Sequence, residues 1–297
     1  MISSLAPLRL PEWARKGSPL AREARETRVL LRSNGLVTVC EEARCPNLGE
    51  CFSRGTATFM LLGDRCTRRC GYCSVETARP LAADPDEPRR VAEAAARLQL
   101  RHVVLTAVAR DDLRDGGASH FAAAVEAIRA RLPLSRVEVL TPDFKGELAS
   151  LSTVLASGPD VFNHNIETVP RLFPSVRAQG DYLRSLRLLG AAKRLRPRQV
   201  TKSGLMVGLG ETEAEIEEVL RDLRAVGVDI VTLGQYLRPT KRHAPVRRYV
   251  TPEGFRAYAR AASSLGFPTV YSGVFVRSSF NALEVADRHT ADRAASA

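Results

Sequence analysis

The stretch Thr58-Phe59-Met60-Leu61-Leu62-Gly63-Asp64-Arg65-Cys66-Thr67-Arg68-Arg69-Cys70-Gly71-Tyr72-Cys73 joins a short apolar run to three closely spaced cysteines. Residues 58–62 read as a buried strand that stops at the Gly63-Asp64 turn signal. The cysteines therefore follow on a loop at the strand's C-terminal end. Downstream the pattern recurs. Apolar, β-rich runs lie at 102–107, 136–140, 161–165, 203–207 and 230–233. Amphipathic stretches rich in Ala, Leu and Arg separate them, at 88–98, 119–132, 146–156, 181–195 and 213–226, and a further one at 252–265 follows the sixth strand. Six β-then-α units predict a parallel sheet with crossover helices. Strands covered on both faces read as near-continuous apolar runs, as these do. Six units are too few for an eightfold barrel, so the expected α/β fold is a partial (β/α)6 TIM-type barrel. Its site would lie at the C-terminal strand ends. The run 269–271 offers an extra strand, and the tail after Asp287 reads as frayed.

The chain has 297 residues and six cysteines: Cys40, Cys45, Cys51, Cys66, Cys70 and Cys73. All six fall before residue 74. A secreted disulfide framework spreads its cysteines through the chain, whereas this crowding points to metal ligation. In Cys66-Thr-Arg-Arg-Cys70-Gly-Tyr-Cys73 three thiolates share one short loop. A cubic iron–sulfur cluster normally takes four cysteines, so three leave one iron open to a cofactor or substrate. A structural zinc site prefers C-x2-C pairs and four closed ligands. The first trio, Cys40-Glu-Glu-Ala-Arg-Cys45-Pro-Asn-Leu-Gly-Glu-Cys51, is weak by itself, since three thiols can also be buried apolar groups. Beside the second trio it suggests a second cluster, and no seventh cysteine exists to complete it.

Hydrophobic residues are 44% of the chain, enough for a large core, and no apolar run approaches the ~18 residues that a membrane helix needs. The first 28 residues are Arg-rich, with Pro7, Pro11 and Pro19, but also carry Glu12, Glu23 and Glu26. Transit peptides avoid acids, so this segment reads as a strap on the mature protein, and the expected compartment is the cytoplasm. The net charge of +11 favours an acidic partner; nucleic acid, an acidic protein and a merely Arg-rich surface all fit it.

The two trios resemble the auxiliary-cluster and radical-initiating motifs of lipoyl synthases, within the radical S-adenosylmethionine superfamily. The likeness continues in order through Val104-Leu-Thr-Ala-Val108, Arg110-Asp-Asp-Leu-Arg-Asp-Gly-Gly117, Leu140-Thr-Pro-Asp-Phe144 and Val161-Phe-Asn-His-Asn-Ile-Glu-Thr168. It goes on through Thr201-Lys-Ser-Gly-Leu-Met206, Gly208-Leu-Gly-Glu-Thr212, Leu233-Gly-Gln-Tyr236 and Arg277-Ser-Ser-Phe280. It covers about residues 25–286. The resemblance implies an enzyme with two 4Fe-4S clusters and S-adenosylmethionine that inserts two sulfur atoms into a protein-bound octanoyl chain. Radical chemistry on an unactivated C–H bond is cofactor chemistry that side chains alone do not supply. In the family the auxiliary cluster is the sulfur donor, and a serine near the C-terminus completes it. That role carries over to Ser279, with Ser278 as the alternative; Phe280 stands where the family has Tyr. The implied partners are octanoylated carrier domains (dehydrogenase E2 subunits, the glycine cleavage H protein) and a reductant such as ferredoxin or flavodoxin. Neither nucleic acid nor membrane is expected. The implied division is an N-terminal auxiliary-cluster extension (1–54), the radical barrel (55–268) and a C-terminal segment closing the site (269–297).

Among the remaining motifs, Asn165 and Glu167 are candidates for hydrogen bonds to S-adenosylmethionine, and Arg177 for its carboxylate, which suits a bidentate fork. His164 lacks a second histidine in ligand spacing. The loop Asp111, Asp112, Asp115, Gly116, Gly117 is expected to contact the methionine amino group or position substrate. Gly208-Leu-Gly-Glu-Thr212 lacks the third glycine of a dinucleotide loop; it is either a turn against the adenosyl group or a helix start capped by Thr212. Lys241, Arg242, His243, Arg247 and Arg248 form the densest basic stretch, suited to an acidic carrier or to solvent. A four-cysteine electron carrier, a zinc-dependent nucleic-acid binder and a radical enzyme of another substrate, such as tRNA thiolation or biotin formation, fit the motifs less well.

Overall fold

The structure is a computed structural model that describes residues 8–16, 22–53 and 57–295. Residues 1–7 and 17–21 of the expected strap, and the 54/55 boundary, lie outside the described residues. The strands are β1 (Val37–Thr38), β2 (Thr58–Leu61), β3 (Arg65–Cys66), β4 (Glu76–Thr77), β5 (His102–Ala107), β6 (Arg136–Leu140), β7 (Val161–Asn163), β8 (Val200–Val207), β9 (Ile230–Gln235) and β10 (Thr269–Gly273). The helices are α1 (Arg22–Ser33), α2 (Val39–Glu42), α3 (Leu48–Ser53), α4 (Glu87–Arg97), α5 (Ala118–Arg131), α6 (Leu148–Ala156), α7 (Phe173–Val176), α8 (Tyr182–Leu195), α9 (Glu213–Ala225), α10 (Pro252–Ser264) and α11 (Ala282–Ala295).

One sheet runs β1-β2-β5-β6-β7-β8-β9-β10. Its strands from β2 onward are parallel. The six expected units are present, and α10 crosses over to β10 as a seventh parallel strand. This is the expected partial barrel. The period of two along each strand sorts its side chains. Val103, Leu105, Val137, Val139, Phe162, Val231 and Leu233 are completely buried in the apolar core. The other face turns inward: Met60, Thr106 and Leu140, which share one register row, line the central cavity. One layer deeper, the Lys202 ammonium lies 2.9 Å from the Glu138 carboxylate, which also accepts from Asn163 Nδ2. These charged groups are buried only because they are paired.

Local chemistry sets the helix starts. Thr212 and Glu215 form a reciprocal capping box on α9. Thr251 caps α10, with Pro252 in its first turn, and Asp181 caps α8. Three expectations change. Residues 144–146 form a separate 3-10 turn ahead of α6, because Phe144, Lys145 and Gly146 all take positive φ. Strand β8 begins at Val200, three residues earlier than its apolar run, since Thr201 and Lys202 are buried by specific polar partners. The tail is not frayed after Asp287: α11 runs to Ala295, with Val285 and Ala286 buried, His289 against Thr269 and Arg136 paired to Asp287. No described helix is long and apolar enough to cross a membrane.

Candidate active site

The second cysteine trio lies where the sequence places it, on the loop after β2. Cys66 ends the two-residue strand β3, whose pairing with β4 closes the loop into a loop-sized ribbon. Side chains and backbone then pin it from several sides. Thr67 N and Oγ1 both donate to the Ala109 carbonyl, at 3.1 and 2.9 Å. Arg68 is buried and forks onto Asp111 at 2.7 and 2.8 Å, with a third bond to Asp143 at 2.6 Å. Gly71 donates to the Val176 carbonyl and accepts from Ala244 N; a Cβ there would stand 3.0 Å from the Ser175 carbonyl oxygen. His243 Nε2 lies 2.9 Å from the Cys73 carbonyl oxygen, which can only accept, so Nε2 carries the proton.

The first trio comes from the segment around α2 and α3, ahead of β2. Thr38 caps α2, which presents Cys40, and Cys45 and Cys51 flank the start of α3. Among the described residues the cysteines form no disulfide, and no three His, Cys, Asp or Glu side chains gather as they would round a single ion. Burial pushes the Cys40 and Cys73 thiols up to about 12, and Cys70 upward as well. A buried thiolate therefore needs positive charge beside it, as cluster iron supplies.

A cavity of about 470 Å³ at the C-terminal strand ends brings these groups together. Cys40, Cys45, Cys66, Cys70, Cys73, Asn165, Glu167, Arg177, Ser278 and Ser279 all line it; Cys51 does not, and packs against the core on α3. Past β7 the chain continues beside β8: Glu167 N donates to Gly204 O, and Met206 N donates to Glu167 O. Glu167 takes φ +70°, a conformation unusual for a non-glycine residue and typical of functional sites. Its carboxyl is raised by burial, against the pull of Arg177, and it accepts hydrogen bonds from Asn165 Nδ2 (3.0 Å) and Tyr72. Arg177 is buried and donates to the Asn165 carbonyl and Ser185 Oγ. The Asn165 Oδ1 and Thr141 Oγ1 atoms are buried without a partner among the described residues, and both residues line the cavity. Such atoms await a ligand or water.

The C-terminal segment enters from β10. Close approach is possible because β8 and β9 carry glycine: a Cβ on Gly204 would lie 3.1 Å from Ser278 Oγ, and one on Gly234 would lie 2.1 Å from the Val276 carbonyl. Ser278 Oγ accepts from Asn165 Nδ2 at 2.6 Å. Ser279 faces the cavity with no hydroxyl hydrogen bond among the described residues.

Several expectations resolve differently. The Asp111 loop does not line the cavity; Asp111 anchors Arg68, Asp112 pairs with Arg110, and Asp115 caps α5 through Ser119. Gly208-Leu-Gly-Glu-Thr212 is a helix start: Glu211 accepts from Gly208 N and Leu209 N, and none of the five residues lines this cavity. His164 is held by Thr141 O and Ser185 Oγ, and burial with Arg177 nearby drives it down to about 3, so it is a neutral structural histidine. In the sequence Arg68 and Tyr72 stand out only as members of the second trio's motif, Thr141 lies inside the Leu140–Phe144 motif and His243 belongs to a basic run; their contacts at the site are visible only in the structure.

The Radical SAM superfamily model matches residues 60–223. Lipoyl synthase of Nitrosomonas eutropha is 55% identical over 276 residues, 93% of this chain and 88% of that protein. Lipoyl synthase of Nitratidesulfovibrio vulgaris is 53% identical over 280 residues (94% and 93%), and that of Rubrobacter xylanophilus is 55% identical over 274 (92% and 85%). Among solved structures, methylornithine synthase superposes with a TM-score of 0.52 at 13% identity, covering 84% of this chain and 82% of that one. HydG, a maturase of the FeFe-hydrogenase, gives 0.53 at 13%, covering 77% and 62%. These two establish the fold alone. Identity above one half across nine-tenths of the chain, together with five of the six cysteines on one cavity, makes this chain a member of the lipoyl synthase family of radical S-adenosylmethionine enzymes.

Proposed function

We propose that this chain is a sulfurtransferase that inserts two sulfur atoms into a protein-bound octanoyl chain to give the lipoyl group, with the site residues assigned as follows. The observation that carries the reading is the meeting of Cys40 and Cys45 from the first trio, all of the second trio and the Arg277-Ser278-Ser279 segment at one cavity. The donor sets fit the implied groups. Cys66, Cys70 and Cys73 would hold a 4Fe-4S cluster with one iron left for S-adenosylmethionine. Cys40, Cys45 and Cys51 would hold the auxiliary cluster, completed by Ser279. Bound there, the groups supply a carbon-centred radical for unactivated C–H bonds and the sulfur to replace the hydrogen.

The chain's own residues bind and orient. Ser278 is committed to Asn165, which leaves Ser279 as the oxygen free to ligate. A hard oxygen among thiolates is the ligand most readily given up when a cluster must release sulfur. Asn165, through its unpartnered Oδ1, and Glu167 would bind the polar parts of S-adenosylmethionine. Arg177, though its fork partly serves Asn165 O and Ser185, places positive charge beside Cys70 and Glu167 and would favour the cofactor's carboxylate. Met60, Val108, Leu140 and Val276 give the cavity apolar walls for an acyl chain and keep water from a radical. The division into 1–54, 55–268 and 269–297 belongs to the same proposal: one segment for each cluster and one for the serine. The substrate is an octanoylated carrier protein. Dehydrogenase E2 domains and the glycine cleavage H protein are the proposed carriers, ferredoxin or flavodoxin the proposed reductant, and the cytoplasm the proposed compartment.

The test is anaerobic reconstitution, then S-adenosylmethionine, reductant and an octanoylated carrier peptide, read by mass spectrometry. A peptide gaining two sulfurs with 5′-deoxyadenosine released is the expected result. 5′-deoxyadenosine without a change in the peptide would refute the substrate. Ser279→Ala should lose sulfur insertion and keep S-adenosylmethionine cleavage; equal loss of both would refute its ligand role.

A further inference from the structure

The strap residue Lys16 sits where three separate segments meet. Its ammonium donates to Asn47 Oδ1 at 2.6 Å and lies 2.6 Å from Glu50 Oε2. Asn47 and Glu50 both fall between Cys45 and Cys51. The same ammonium lies 5.1 Å from the centroid of the Phe275 ring and 4.8 Å from that of Phe280. Both rings belong to the segment that carries Ser278 and Ser279. Asn47, completely buried, closes the circuit by donating to the Phe275 carbonyl at 2.7 Å. The strap itself is seated close by, with Trp13 edge-on to Tyr249 and Ala14 buried.

We propose that Lys16 is a positioning residue that clasps the Cys45–Cys51 loop to the serine-bearing segment, and so sets how readily the auxiliary cluster can come apart. The inference rests on Ser279 being that cluster's fourth ligand. Neither arm is joined to the other by the sheet: the cysteine loop precedes β2, and the serine segment follows β10 at the opposite end of the strand order. A single half-buried cation answers to both arms at once, by an ion pair on one side and aromatic faces on the other. The attraction of a cation to an aromatic face strengthens as water is excluded. Phe280 also gains a role here. In place of the family's tyrosine it presents an unsubstituted ring to the ammonium. Opening the clasp would let the serine arm swing from the cluster while Cys40, Cys45 and Cys51 stay on the segment ahead of β2, which is the motion a sacrificed cluster needs.

The experiment uses the full chain with both clusters loaded and no substrate. Iron release to an excess of a coloured ferrous chelator is followed in wild type, Lys16→Met, Lys16→Arg and Ser279→Ala. S-adenosylmethionine cleavage is measured in parallel as a report on the other cluster. From the sizes of an ion pair and two cation–π contacts, Lys16→Met should lose about half of its iron roughly tenfold faster than wild type, with S-adenosylmethionine cleavage unchanged. Lys16→Arg, which keeps the charge and stacks on rings, should stay near wild type. Phe280→Leu serves as the second variant and should move in the same direction as Lys16→Met. Wild-type release rates in Lys16→Met and Phe280→Leu, with fast release in Ser279→Ala, would overturn the clasp and leave the serine ligand standing. Wild-type rates in Ser279→Ala would overturn the ligand reading and the clasp's action through it. Parallel loss of both clusters in Lys16→Met would overturn the proposal by making Lys16 a general stability residue.

Discussion

Replacing Arg68 by Met tests whether the second trio's loop is held by a buried ion network or only by its backbone. The Arg68 guanidinium makes three bonds of 2.6–2.8 Å, two to Asp111 and one to Asp143, and is 7% exposed. Asp143 is fully buried, and its carboxyl is held well below the usual range because the Arg68 bonds outweigh the burial that would raise it. Met keeps the apolar stem and removes the charge. It leaves Asp143 with Arg184 at 3.2 Å, a third exposed, and one backbone N–H from Lys145. Breaking a buried pair on one side costs about 3–5 kcal/mol, because the other charge stays behind unmatched. Asp143→Asn should cost a similar amount. The double variant should cost about 1.5–3 kcal/mol less than the sum, the range expected for residues of one network. Anaerobic urea unfolding followed by far-UV circular dichroism gives the four free energies. Iron analysis should find the loss concentrated in the cluster proposed for Cys66, Cys70 and Cys73, since the Arg68 guanidinium anchors the loop segment between Cys66 and Cys70 to Asp111 and Asp143. A cost below about 1 kcal/mol, as at a surface pair, or additivity within about 0.5 kcal/mol, would refute the network as the anchor.

Gly204→Ala puts a Cβ 2.8 Å from Asn165 Oδ1 and 2.9 Å from Thr232 Oγ1, so S-adenosylmethionine affinity by equilibrium dialysis should fall about tenfold or more, equivalent to about 1.4 kcal/mol; unchanged affinity would remove Asn165 from that site. Burial works to raise the Glu138 carboxyl, but Lys202 and His102 hold it down at about 2 against an ordinary 4.5. A lowered acid stabilises the fold above its unfolded pKa and loses that contribution as pH falls toward the folded one, so unfolding free energy should drop from pH about 5 downward. Glu138→Gln should flatten that limb while lowering stability at neutral pH; an unaltered acid limb would put the titrating group elsewhere. Lys241, Arg242, Arg247 and Arg248 are exposed. Carrier affinity should therefore fall as salt is raised from low ionic strength, and a salt-independent affinity would direct docking to another face.

The barrel was legible because its strands are buried on both faces and need no distant partner to declare themselves. Apolar runs such as 102–107 and 136–140 matched the observed β5 and β6 to the residue. Legibility failed where polar contacts did the work. Thr201 and Lys202 extend β8 through bonds to Asp229 and Glu138, partners 28 and 64 residues away. The tail after Asp287 looked frayed because its Ala-rich composition carries no strong stripe; it is helical because Val285, Ala286 and His289 have a surface to pack on.

The site divides along the same line. Sequence alone supplied the candidate ligand types, since residue type and spacing are local properties: three cysteines on one loop, three before it, and a serine pair near the end. It also determined the βα order that puts the second trio at the strand ends. Only the tertiary structure decided which groups share the cavity, because proximity between residue 40 and residue 279 depends on how the sheet curves. It decided that Asn165 takes Ser278 and leaves Ser279 to the cavity, a choice of 2.6 Å geometry that two adjacent serines do not reveal in one dimension. It moved Asp111 from the cavity to an anchor under Arg68, and turned His164 into a buried strut. It joined Lys16 to Phe280 across 264 positions of chain, through an attraction that needs the ring and the ammonium within a few ångströms and leaves no trace in composition or periodicity.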